Sequence, residues 1–452
     1  MIDLYPYQQE DVDHLGLTPS VLIGNEMGTG KTHEAIARDA KLREAAKGQT
    51  LVIAPLITLE LTWQRLFETH TDLKVVTIDE KSRNVSWDRF VRRDADVFLA
   101  HWQVLRIMPE LGNWSWMHVI ADECHRMKNR KAVQTRSLKT IRVVEYKTAM
   151  SGTPFSNRPD ELWSVLNWLY PKKYSSYWRF FNEYVETEVG YARGGRTFKK
   201  VVGPKNEKKL QAEIRPFFVR RLKKDVLPQL PDKYYDEIHV DLTPMQRKAY
   251  DDMKDDMIAW VGQQEEEVLA APVVIAQLMR LQQFAVAYAE IDPQGKVRLS
   301  EPSSKLDAVM EVLDALGDRQ AVIFSGFKDA LSLMEHRLRA ERISFVTITG
   351  DTPKAERTPL VQRFQRGSDR IFLGTPRAGG EGIDLFTAST VIFIDRDWAP
   401  YVNSQAEDRL HRIGQKDAVQ VIDIMAKKTV DRGKQQTLET KKDWFRRMIG
   451  DI

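Results

Sequence analysis

The chain has 452 residues, of which 42% are hydrophobic and 29% are charged, and its formal net charge is +4. This length predicts a globular protein of about two or three domains, and the mild positive charge is compatible with nucleic acid without requiring it. The one cysteine, Cys124, excludes an internal disulfide and a cysteine-rich zinc site. Since no apolar run reaches membrane-spanning length and no secretory signal opens the chain, we expect a cytoplasmic protein without a membrane partner.

The first apolar run, residues 21–23, leads into a glycine-rich stretch that reads Gly28-Thr29-Gly30-Lys31-Thr32. Gly28 and Gly30 allow the backbone N–H groups to turn toward an anion, and the helix that follows points its positive end at the same place. These features predict a phosphate-binding loop for ATP, in which Lys31 reaches the β- and γ-phosphates and Thr32 holds Mg²⁺. The full motif has a glycine where this chain has Asn25, and a chance turn is the alternative.

Gln8 lies just upstream of this loop, after two tyrosines. Its amide can both donate to and accept from an adenine edge, so we assign it to the nucleotide site. An N-terminal turn packed by the tyrosines is an equal interpretation.

Short apolar runs at 51–54, 97–100 and 119–121 are separated by helical spacers. Such runs predict the buried strands of a parallel sheet, whose ligands bind at the carboxyl ends of the strands. Residues that could serve a ligand follow these runs: Pro55 after the first, Asp122 and Glu123 after the third, and Ser151-Gly152-Thr153 after a further run at 148–150.

Asp122 and Glu123 are two carboxylates at the end of an apolar strand, which is costly unless a cation is near. Asp122 suits a water-bridged Mg²⁺ on the ATP phosphates. Glu123 suits the base that orients and deprotonates an attacking water. A solvated acidic turn is the alternative.

The string Asp122-Glu123-Cys124-His125-Arg126-Met127-Lys128-Asn129 and the segment 151–171 resemble motifs of the Swi/Snf-type ATPases of helicase superfamily two. Members of that family are motors that track along duplex DNA without a strand-separating wedge. The resemblance implies that His125 couples the nucleotide site to the Ser151-Gly152-Thr153 loop. Cys124 replaces the small residue usual in the family, and we expect little effect.

Glycines and basic residues alternate with aromatic residues in the stretch 191–200. This composition suits a hairpin or loop near DNA phosphates, with Arg193, Arg196 and Lys199 as candidate contacts, and a solvated basic loop is the alternative. The segment 214–226 resembles the family segment that joins the two motor lobes. Thr243 then begins a helical stretch that we interpret as a protrusion.

Apolar runs recur at 321–324, 345–348, 371–373 and 391–394 without a second phosphate-loop lysine. We therefore predict an α/β fold of two RecA-like parallel-sheet lobes with helical protrusions, and ATP between unequal lobes. The predicted boundaries are a first lobe at 1–225 with a protrusion at about 155–215, a linker and second protrusion at 226–302, a second lobe at 303–430 and a basic brace helix at 431–452.

Gln405, Arg409 and Arg412 are spaced by four and then three residues, which would place them on one face of a helix. The string 405–415 resembles the last motif of the family, and this implies that the two arginines stabilise the γ-phosphate. A surface arginine stripe paired with nearby carboxylates is the alternative.

The stretch 375–385 resembles the family motif before it, and Asp384 stands where the family usually has asparagine. The resemblance assigns Gly382, Asp384 and Gln405 to the nucleotide. Trp398 lies by resemblance near the DNA groove, and a buried packing role is an equal contender. The candidate DNA contacts outside the stretch 191–200 are Pro55, Thr375, Arg377, Gly379 and Trp398.

Together these features predict a DNA-dependent ATPase that uses ATP and Mg²⁺ to translocate along double-stranded DNA, remodelling forks and branches or displacing bound proteins. Its catalytic residues would be Lys31, Asp122, Glu123, Arg409 and Arg412. A strand-separating DNA or RNA helicase and a nucleotide-gated clamp with little hydrolysis are the alternatives. Expected partners are double-stranded or branched DNA and proteins of replication or recombination. We find no histone-tail-binding module, which favours a minimal motor of bacterial or viral origin.

Overall fold

The computed structural model describes residues 2–78, 92, 94–155, 157–191, 197–263, 271–379, 383–412 and 414–449. The chain divides into two compact units. The first consists of Met1–Thr187, Val201–Pro228 and Lys441–Ile452, and the second of Glu188–Lys200 and Gln229–Thr440.

The strands up to residue 219 are β1 Ser20–Ile23, β2 Thr50–Ala54, β3 Val75–Ile78, β4 Val97–His101, β5 Ser115–Asp122, β6 Arg142–Met150, β7 Val185–Tyr191, β8 Thr197–Pro204 and β9 Phe218–Val219. Among the described residues of the first unit, seven of them form one sheet in the order β3-β4-β2-β5-β6-β1-β9. All of its pairings are parallel. Strands β7 and β8 pair only with each other, within the described ranges.

Helices connect these strands and cover the sheet. They are α1 Pro6–Leu15, α2 Lys31–Ala45, α3 Leu56–Thr58, α4 Arg65–His70, α5 Val104–Ile107, α6 Val133–Thr140, α7 Leu162–Leu169, α8 Tyr177–Tyr184, α9 Glu207–Ile214 and α10 Lys223–Val226. The last turns of the C-terminal helix also belong to this unit, since Met448 and Ile449 are buried in its core.

The central strands of the first sheet carry consecutive apolar residues that are buried on both faces. Leu51 and Ile53 of β2 pack into the core on one face, whereas Val52 and Ala54 pack into the core on the other. Successive side chains of a strand point to opposite faces, so a run without polar residues requires cover on both sides. The sheet is therefore held between two helical layers.

The second unit has its own sheet. Its strands are β10 Lys233–Val240, β11 Tyr288–Ile291, β12 Val297–Ser300, β13 Ala321–Phe324, β14 Phe345–Ile348, β15 Ile371–Gly374, β16 Thr390–Phe393 and β17 Val419–Ala426. In the part of this unit that the structure describes, six strands run in the order β10-β17-β16-β13-β15-β14, and β11 pairs with β12 in a separate antiparallel hairpin. The pairings of the larger sheet are all parallel.

The helices of this half of the chain are α11 Pro244–Gln263, α12 Ala271–Val286, α13 Ser304–Leu316, α14 Lys328–Ala340, α15 Lys354–Gln365, α16 Pro376–Gly379, α17 Pro400–Glu407 and α18 Val430–Ile449. Thr243 caps α11 as its position suggested, because its Oγ1 accepts a hydrogen bond from the backbone N–H of Gln246 at 3.2 Å. The core again has two faces: Ile323 packs on one side of β13, and Val322 on the other.

The prediction of an α/β fold with two parallel-sheet lobes is confirmed. The apolar runs singled out in the sequence all lie within strands, except that the run at 391–394 extends one residue beyond β16. Four strands of the sheets were not anticipated: β3, β9, β17, and β10 from the segment interpreted as a linker. No helix in the described ranges combines the length and the apolar character that crossing a bilayer requires.

Candidate active site

The glycine-rich stretch forms a tight loop between β1 and α2. Gly28 and Gly30 have φ angles of 79° and 82°, in the left-handed region that favours glycine. A Cβ on Gly30 would lie 2.3 Å from Nε2 of Gln8, so the loop also has no room for a side chain there. Because α2 begins at Lys31, directly after the loop, its positive end faces the space in front of the loop.

Side chains from α1 and from the loop itself fix this geometry. The Tyr7 hydroxyl and Gln8 Nε2 both donate to the carbonyl of Thr29, at 2.6 and 2.9 Å. Lys31 Nζ donates to the carbonyls of Asn25 and Glu26, at 2.8 and 2.9 Å. The lysine ammonium is therefore held at the mouth of the loop, where a phosphate would meet it. Gln8 is buried against the loop, and its assignment to adenine stays a prediction.

The residues predicted to act with the loop follow two neighbouring strands. In the parallel register, Ile23 at the end of β1 pairs with Met150 of β6, and Met150 pairs with Asp122 of β5. The phosphate loop, the Asp122-Glu123 pair and the loop that begins at Ser151 therefore leave the sheet side by side at one edge. The structure brings together the predicted residues of the first unit in this way.

Asp122 is almost completely buried, and two donors hold its carboxylate in place. Trp63 Nε1 donates to Oδ2 at 3.0 Å, and the backbone N–H of Glu123 donates to Oδ1 at 2.8 Å. Burial and the neighbouring charge of Glu123 raise the pKa of Asp122 to about 7, although Trp63 and Lys31 work in the opposite direction. A buried carboxylate of this kind is stabilised by a cation.

Glu123 adopts a left-handed backbone conformation with φ 49° and ψ 52°, which is unusual for a residue with a side chain. Its Oε2 accepts a hydrogen bond from the Ser151 hydroxyl at 3.1 Å and lies 3.2 Å from Nδ1 of His125. Burial alone would raise the pKa of Glu123, but the contacts with His125, Lys31 and Ser151 outweigh it and lower the pKa. Glu123 is thus the ionised member of the carboxylate pair, as a general base must be.

His125 and Ser151 connect the acidic pair to the next loop. Nδ1 of His125 lies 3.1 Å from the Ser151 hydroxyl, which in turn accepts a hydrogen bond from the backbone N–H of Thr153 at 3.2 Å. Gly152 packs closely on the phosphate loop, because a Cβ there would lie 3.0 Å from Cγ of Met27. These contacts are the kind expected of the coupling predicted for His125.

The residues present fit a nucleoside triphosphate with Mg²⁺. The loop offers backbone donors and a lysine, Thr32 is partly exposed at the start of α2, and Asp122 is a buried carboxylate with a raised pKa. Among the described residues there is no cluster of three or more His, Cys, Asp or Glu side chains that could hold a metal alone. A hydroxyl, one carboxylate and phosphate oxygens are the ligands that Mg²⁺ takes in such sites.

Arg220, in the segment 214–226 that resembles the family segment joining the lobes, lies directly after β9. It is buried, and its Nη1 donates to the carbonyl of Gly24 at 2.9 Å and to that of Gly152 at 3.3 Å. Arg220 therefore ties the start of the phosphate loop to the Ser151 loop. The resemblance of 214–226 to a family segment marked the region, but only the fold shows which carbonyls the guanidinium contacts.

In the second unit, the prediction that Gln405, Arg409 and Arg412 share one helical face is wrong. Helix α17 ends at Glu407, so Gln405 is helical while the two arginines lie in the turns that follow. The backbone N–H of Leu385 donates to the carbonyl of Arg409 at 2.9 Å, which fixes the turn against the preceding motif. The spacing matched a helix, but the chain continues in turns after Glu407, and the carbonyl of Arg409 accepts its bond from outside the segment.

Arg412 forms an ion pair with Asp384, the residue that replaces the usual asparagine. Burial lowers the pKa of the Arg412 guanidinium, which nevertheless stays charged at neutral pH. Gln365 Nε2 donates to the backbone carbonyl of Asp384 at 2.8 Å. Gly382, also assigned to the nucleotide, lies outside the described residues.

The candidate DNA contacts differ in their surroundings. Pro55 is buried at the end of β2, and Lys199 is exposed on β8. Arg377 is exposed and paired with Asp397 at 2.9 Å, and Trp398 is half-buried, donating from Nε1 to Oε1 of Gln282 at 3.0 Å.

The other candidate DNA contacts have surroundings that do not indicate a binding surface. Thr375 is partly buried and accepts a hydrogen bond from the Ala378 N–H at 3.4 Å. Gly379 is the last residue of α16. Arg193 and Arg196 lie outside the described ranges. The DNA contacts stay predictions.

Comparison with known proteins finds a matching family model for each half of the chain. A family model described as the SNF2-related domain matches residues 11–287, and one described as the helicase conserved C-terminal domain matches residues 304–414. The chain is 30% identical over 436 residues to the SWI/SNF chromatin-remodeling complex subunit snf22 of Schizosaccharomyces pombe, covering 91% of this chain and 26% of that protein. It is 29% identical over 434 residues to the transcription regulatory protein SNF2 of Saccharomyces cerevisiae, covering 91% and 25%.

A third relative, chromodomain-helicase-DNA-binding protein 8 of Danio rerio, is 29% identical over 473 residues, covering 95% of this chain and 18% of that protein. This chain thus spans about a quarter of the first two relatives and less of the third. A solved structure of the Sulfolobus solfataricus SWI2/SNF2 ATPase core in complex with dsDNA covers 99% of this chain and 94% of its own, at 25% identity and a TM-score of 0.45. Because the SNF2-related model matches more than half of the residues, the chain belongs to the SNF2 family.

Proposed function

We propose that this chain is a DNA-dependent ATPase that translocates along double-stranded DNA. The observation that carries the ATPase part is the edge of the first sheet, where the phosphate loop, Asp122-Glu123 and the Ser151 loop leave three adjacent strands. The phosphate loop supplies an anion cradle, Asp122 a carboxylate for the metal and Glu123 a base, which the Ser151 hydroxyl holds by a hydrogen bond.

The residues of the first unit divide the chemistry between them. Lys31 and the backbone N–H groups of the loop bind the phosphates, and Thr32 and Asp122 hold Mg²⁺, which neutralises phosphate charge when bound. Glu123, kept ionised by His125, Lys31 and Ser151, orients a water and accepts its proton. Ser151 is hydrogen-bonded to both Glu123 and the Thr153 backbone, so a movement of Glu123 on nucleotide binding or hydrolysis is transmitted to the neighbouring loop.

Arg409 and Arg412 are proposed to stabilise the charge that develops on the γ-phosphate. Both follow the end of α17, and Arg412 carries a charge that burial does not remove. A guanidinium is suited to this role because its planar donors match phosphate oxygens and its charge is permanent. Substitution of either arginine by alanine should abolish stimulated turnover while leaving ATP binding to the first unit measurable.

Support for DNA as the track comes from family membership and from relatives that are named for chromatin remodelling and for DNA binding. The net charge of +4 is compatible with a polyanionic partner. Forks and branches as preferred structures, proteins of replication or recombination as partners, and a reducing cytoplasm as the compartment belong to the same proposal.

The test measures ATP hydrolysis without nucleic acid and with blunt duplex, forked duplex, single-stranded DNA or RNA. We expect duplex or forked DNA to stimulate turnover most, and the stimulation to fall steeply with salt because phosphate contacts release counterions. A triplex-displacement assay measures translocation, and a strand-displacement assay measures unwinding. Unwinding of the duplex would favour a strand-separating helicase, and DNA binding without turnover would favour a nucleotide-gated clamp.

A further inference from the structure

A buried polar cluster lies directly beneath the phosphate loop, and none of the roles assigned above uses it. Its members are Asp11 from α1, Asn25 from the loop, Glu34 from α2 and Arg221 from the segment after β9. Asn25 has no exposed surface, and Asp11 and Glu34 are each 1% exposed. Three neighbouring segments of the chain and the distant segment after β9 therefore meet at one point behind the nucleotide site.

The Asn25 side chain is the hub of this cluster. Its Nδ2 donates to Oδ2 of Asp11 at 2.9 Å and to both carboxylate oxygens of Glu34 at 3.0 Å. An amide nitrogen has two N–H groups, so one can serve each carboxylate. Oδ1 of Asn25 is buried and accepts no hydrogen bond from any described residue, which means that the side chain is used as a donor only.

Arg221 neutralises one side of the cluster. Its Nε donates to Oδ1 of Asp11 at 2.9 Å, and a second guanidinium nitrogen lies 2.7 Å from the same oxygen. The carboxylate of Asp11 is thus shared between a cation and the Asn25 amide, while Glu34 depends on Asn25 for its hydrogen bonds. Buried carboxylates without such donors are strongly destabilising.

The backbone of the same residue contacts the lysine of the loop. Lys31 Nζ donates to the carbonyls of Asn25 and Glu26, and these two bonds set the direction from which the ammonium meets a phosphate. The side chain of Asn25 is held behind the loop by Asp11 and Glu34, and its backbone carbonyl accepts a hydrogen bond from Lys31 at the front. Movement of the anchored amide would therefore move the carbonyls that aim Lys31.

We propose that Asn25 is a positioning residue for nucleotide binding, which aims Lys31 by tying the phosphate loop to the buried carboxylates of Asp11 and Glu34. The inference rests on the proposed ATPase function and deepens it. It also explains why this chain has an amide where the phosphate-loop motif has glycine. A glycine would lack the anchor, and an aspartate could not donate to both Asp11 and Glu34 as the amide does.

Three variants test this role: Asn25→Asp, Asn25→Gly, and the exchange Asn25→Asp with Glu34→Gln. The first adds a carboxylate to the cluster, and we expect the KM for ATP to rise by about tenfold or more, with a smaller change in kcat. The second removes the anchor without adding charge, and we expect a rise of about three- to tenfold. The exchange restores one amide and two carboxylates, so most of the affinity should return.

Gln9→Glu is the matched control, because it adds a carboxylate to the exposed face of α1, the helix that carries Asp11. It should leave the KM for ATP unchanged. Thermal unfolding of every variant, with and without Mg·ATP, separates loss of fold from loss of positioning. An unchanged KM in Asn25→Asp, or a loss that the exchange does not recover at all, would overturn the role of Asn25.

The two proposals fail differently. If the wild-type chain neither binds nor hydrolyses ATP, the proposed function fails and the inference fails with it. If the wild type binds ATP and the two single Asn25 variants bind it equally well, only the inference fails.

Discussion

The guanidinium of Arg220 lies 4.8 Å from the centre of the Phe445 ring. Through Nη1 the same guanidinium donates to the carbonyls of Gly24 and Gly152, at the two loops of the candidate active site. Phe445 in turn packs against Phe155, with ring centres 5.1 Å apart. The end of the C-terminal helix thus covers the residue that joins the phosphate loop to the Ser151 loop.

We therefore predict that Phe445→Ala impairs ATP turnover although Phe445 does not reach the nucleotide site. A cation–π contact contributes about 0.5–2 kcal/mol, so a loss of about three- to tenfold in kcat/KM for ATP is expected. Phe445→Leu keeps apolar packing but removes the aromatic face, and it should show most of the same loss. Steady-state hydrolysis with purified variants provides the measurement.

Arg447→Ala serves as the control for this prediction. Arg447 lies on the same helix and pairs with Glu207 at the surface, at 2.6 Å and with both side chains partly exposed. Exposed pairs contribute little, so kcat/KM should change less than twofold. Equal effects of Phe445→Leu and Arg447→Ala would mean that only docking of the helix matters, and the Arg220 contact would lose its assigned role.

Glu123→Gln should retain ATP binding and lose hydrolysis. Glutamine keeps the shape and can still accept a hydrogen bond from Ser151, but it cannot take a proton from water. We expect turnover to fall by about 10²-fold or more, while the Kd for ATP, measured by titration in the presence of Mg²⁺, stays within a few fold. Near-normal hydrolysis by this variant would exclude Glu123 as the base.

The phosphate loop and the strand ends could be predicted because they depend on local sequence. Glycines at 28 and 30 and the lysine at 31 act through backbone geometry that the loop itself creates. The apolar run at 119–121 predicts a strand buried on both faces, and the carboxylates that follow it must then lie at the ligand-binding edge of the sheet.

The supporting contacts could not be predicted because they join segments distant in the chain. Trp63 donates to Asp122 across 59 positions, and Arg220 donates to Gly24 across 196. Nothing in the pattern around Trp63 distinguishes it from an ordinary core tryptophan, and the resemblance of 214–226 marks the region of Arg220 but not the carbonyls that it contacts. The turn at Arg409 was mispredicted for a related reason, since the spacing of the residues does not reveal that the Arg409 carbonyl bonds to the distant Leu385.

The ion pair between Asp384 and Arg412 predicts a substitution that increases ATP turnover, whereas those above reduce it. An arginine held by a carboxylate must leave it before it can contact a phosphate, so the pair should restrain the proposed role of Arg412. The side chains are 31% and 41% exposed, and a pair of this exposure contributes at most about 1 kcal/mol. Asp384→Asn should therefore raise DNA-stimulated kcat by up to about fivefold.

Asp351→Asn is the matched control, because Asp351 forms an exposed ion pair with Lys328 elsewhere in the second unit. It should leave kcat unchanged. A fall in kcat on Asp384→Asn would indicate instead that the carboxylate holds Arg412 in a productive position.

A buried pair between α2 and β5 predicts how stability depends on pH. Nδ1 of His118 lies 2.7 Å from Oδ1 of Asp39, and Nε2 lies 2.8 Å from the Thr148 hydroxyl, with both ionisable side chains fully buried. Burial lowers the pKa of His118, and this outweighs the attraction of Asp39. Burial would raise the pKa of Asp39, but His118, Arg43 and Thr50 together lower it to about 2.

The two shifts act in different pH ranges. The unfolded chain protonates His118 near its ordinary pKa of about 6.5 while the folded chain does not, so stability is lost as the pH falls below that value. The contribution of Asp39 is complete above about pH 4 and is lost only as the pH falls toward 2. Between pH 7.5 and 5.5 the histidine therefore dominates this pair, with a slope of at most about 1.4 kcal/mol per pH unit.

His118→Gln should lower the free energy of unfolding by about 1–3 kcal/mol at pH 7.5, because glutamine reproduces the hydrogen bonds imperfectly. The difference from wild type should shrink as the pH falls to 5.5, since glutamine takes up no proton on unfolding. Urea unfolding of both proteins across this range measures the difference. His14→Gln, at an exposed position on α1, should follow the wild-type pH dependence. A constant difference between His118→Gln and wild type would mean that the pKa of His118 is the same in the folded and the unfolded chain, and a difference that grows as the pH falls would mean that His118 is protonated in the folded protein.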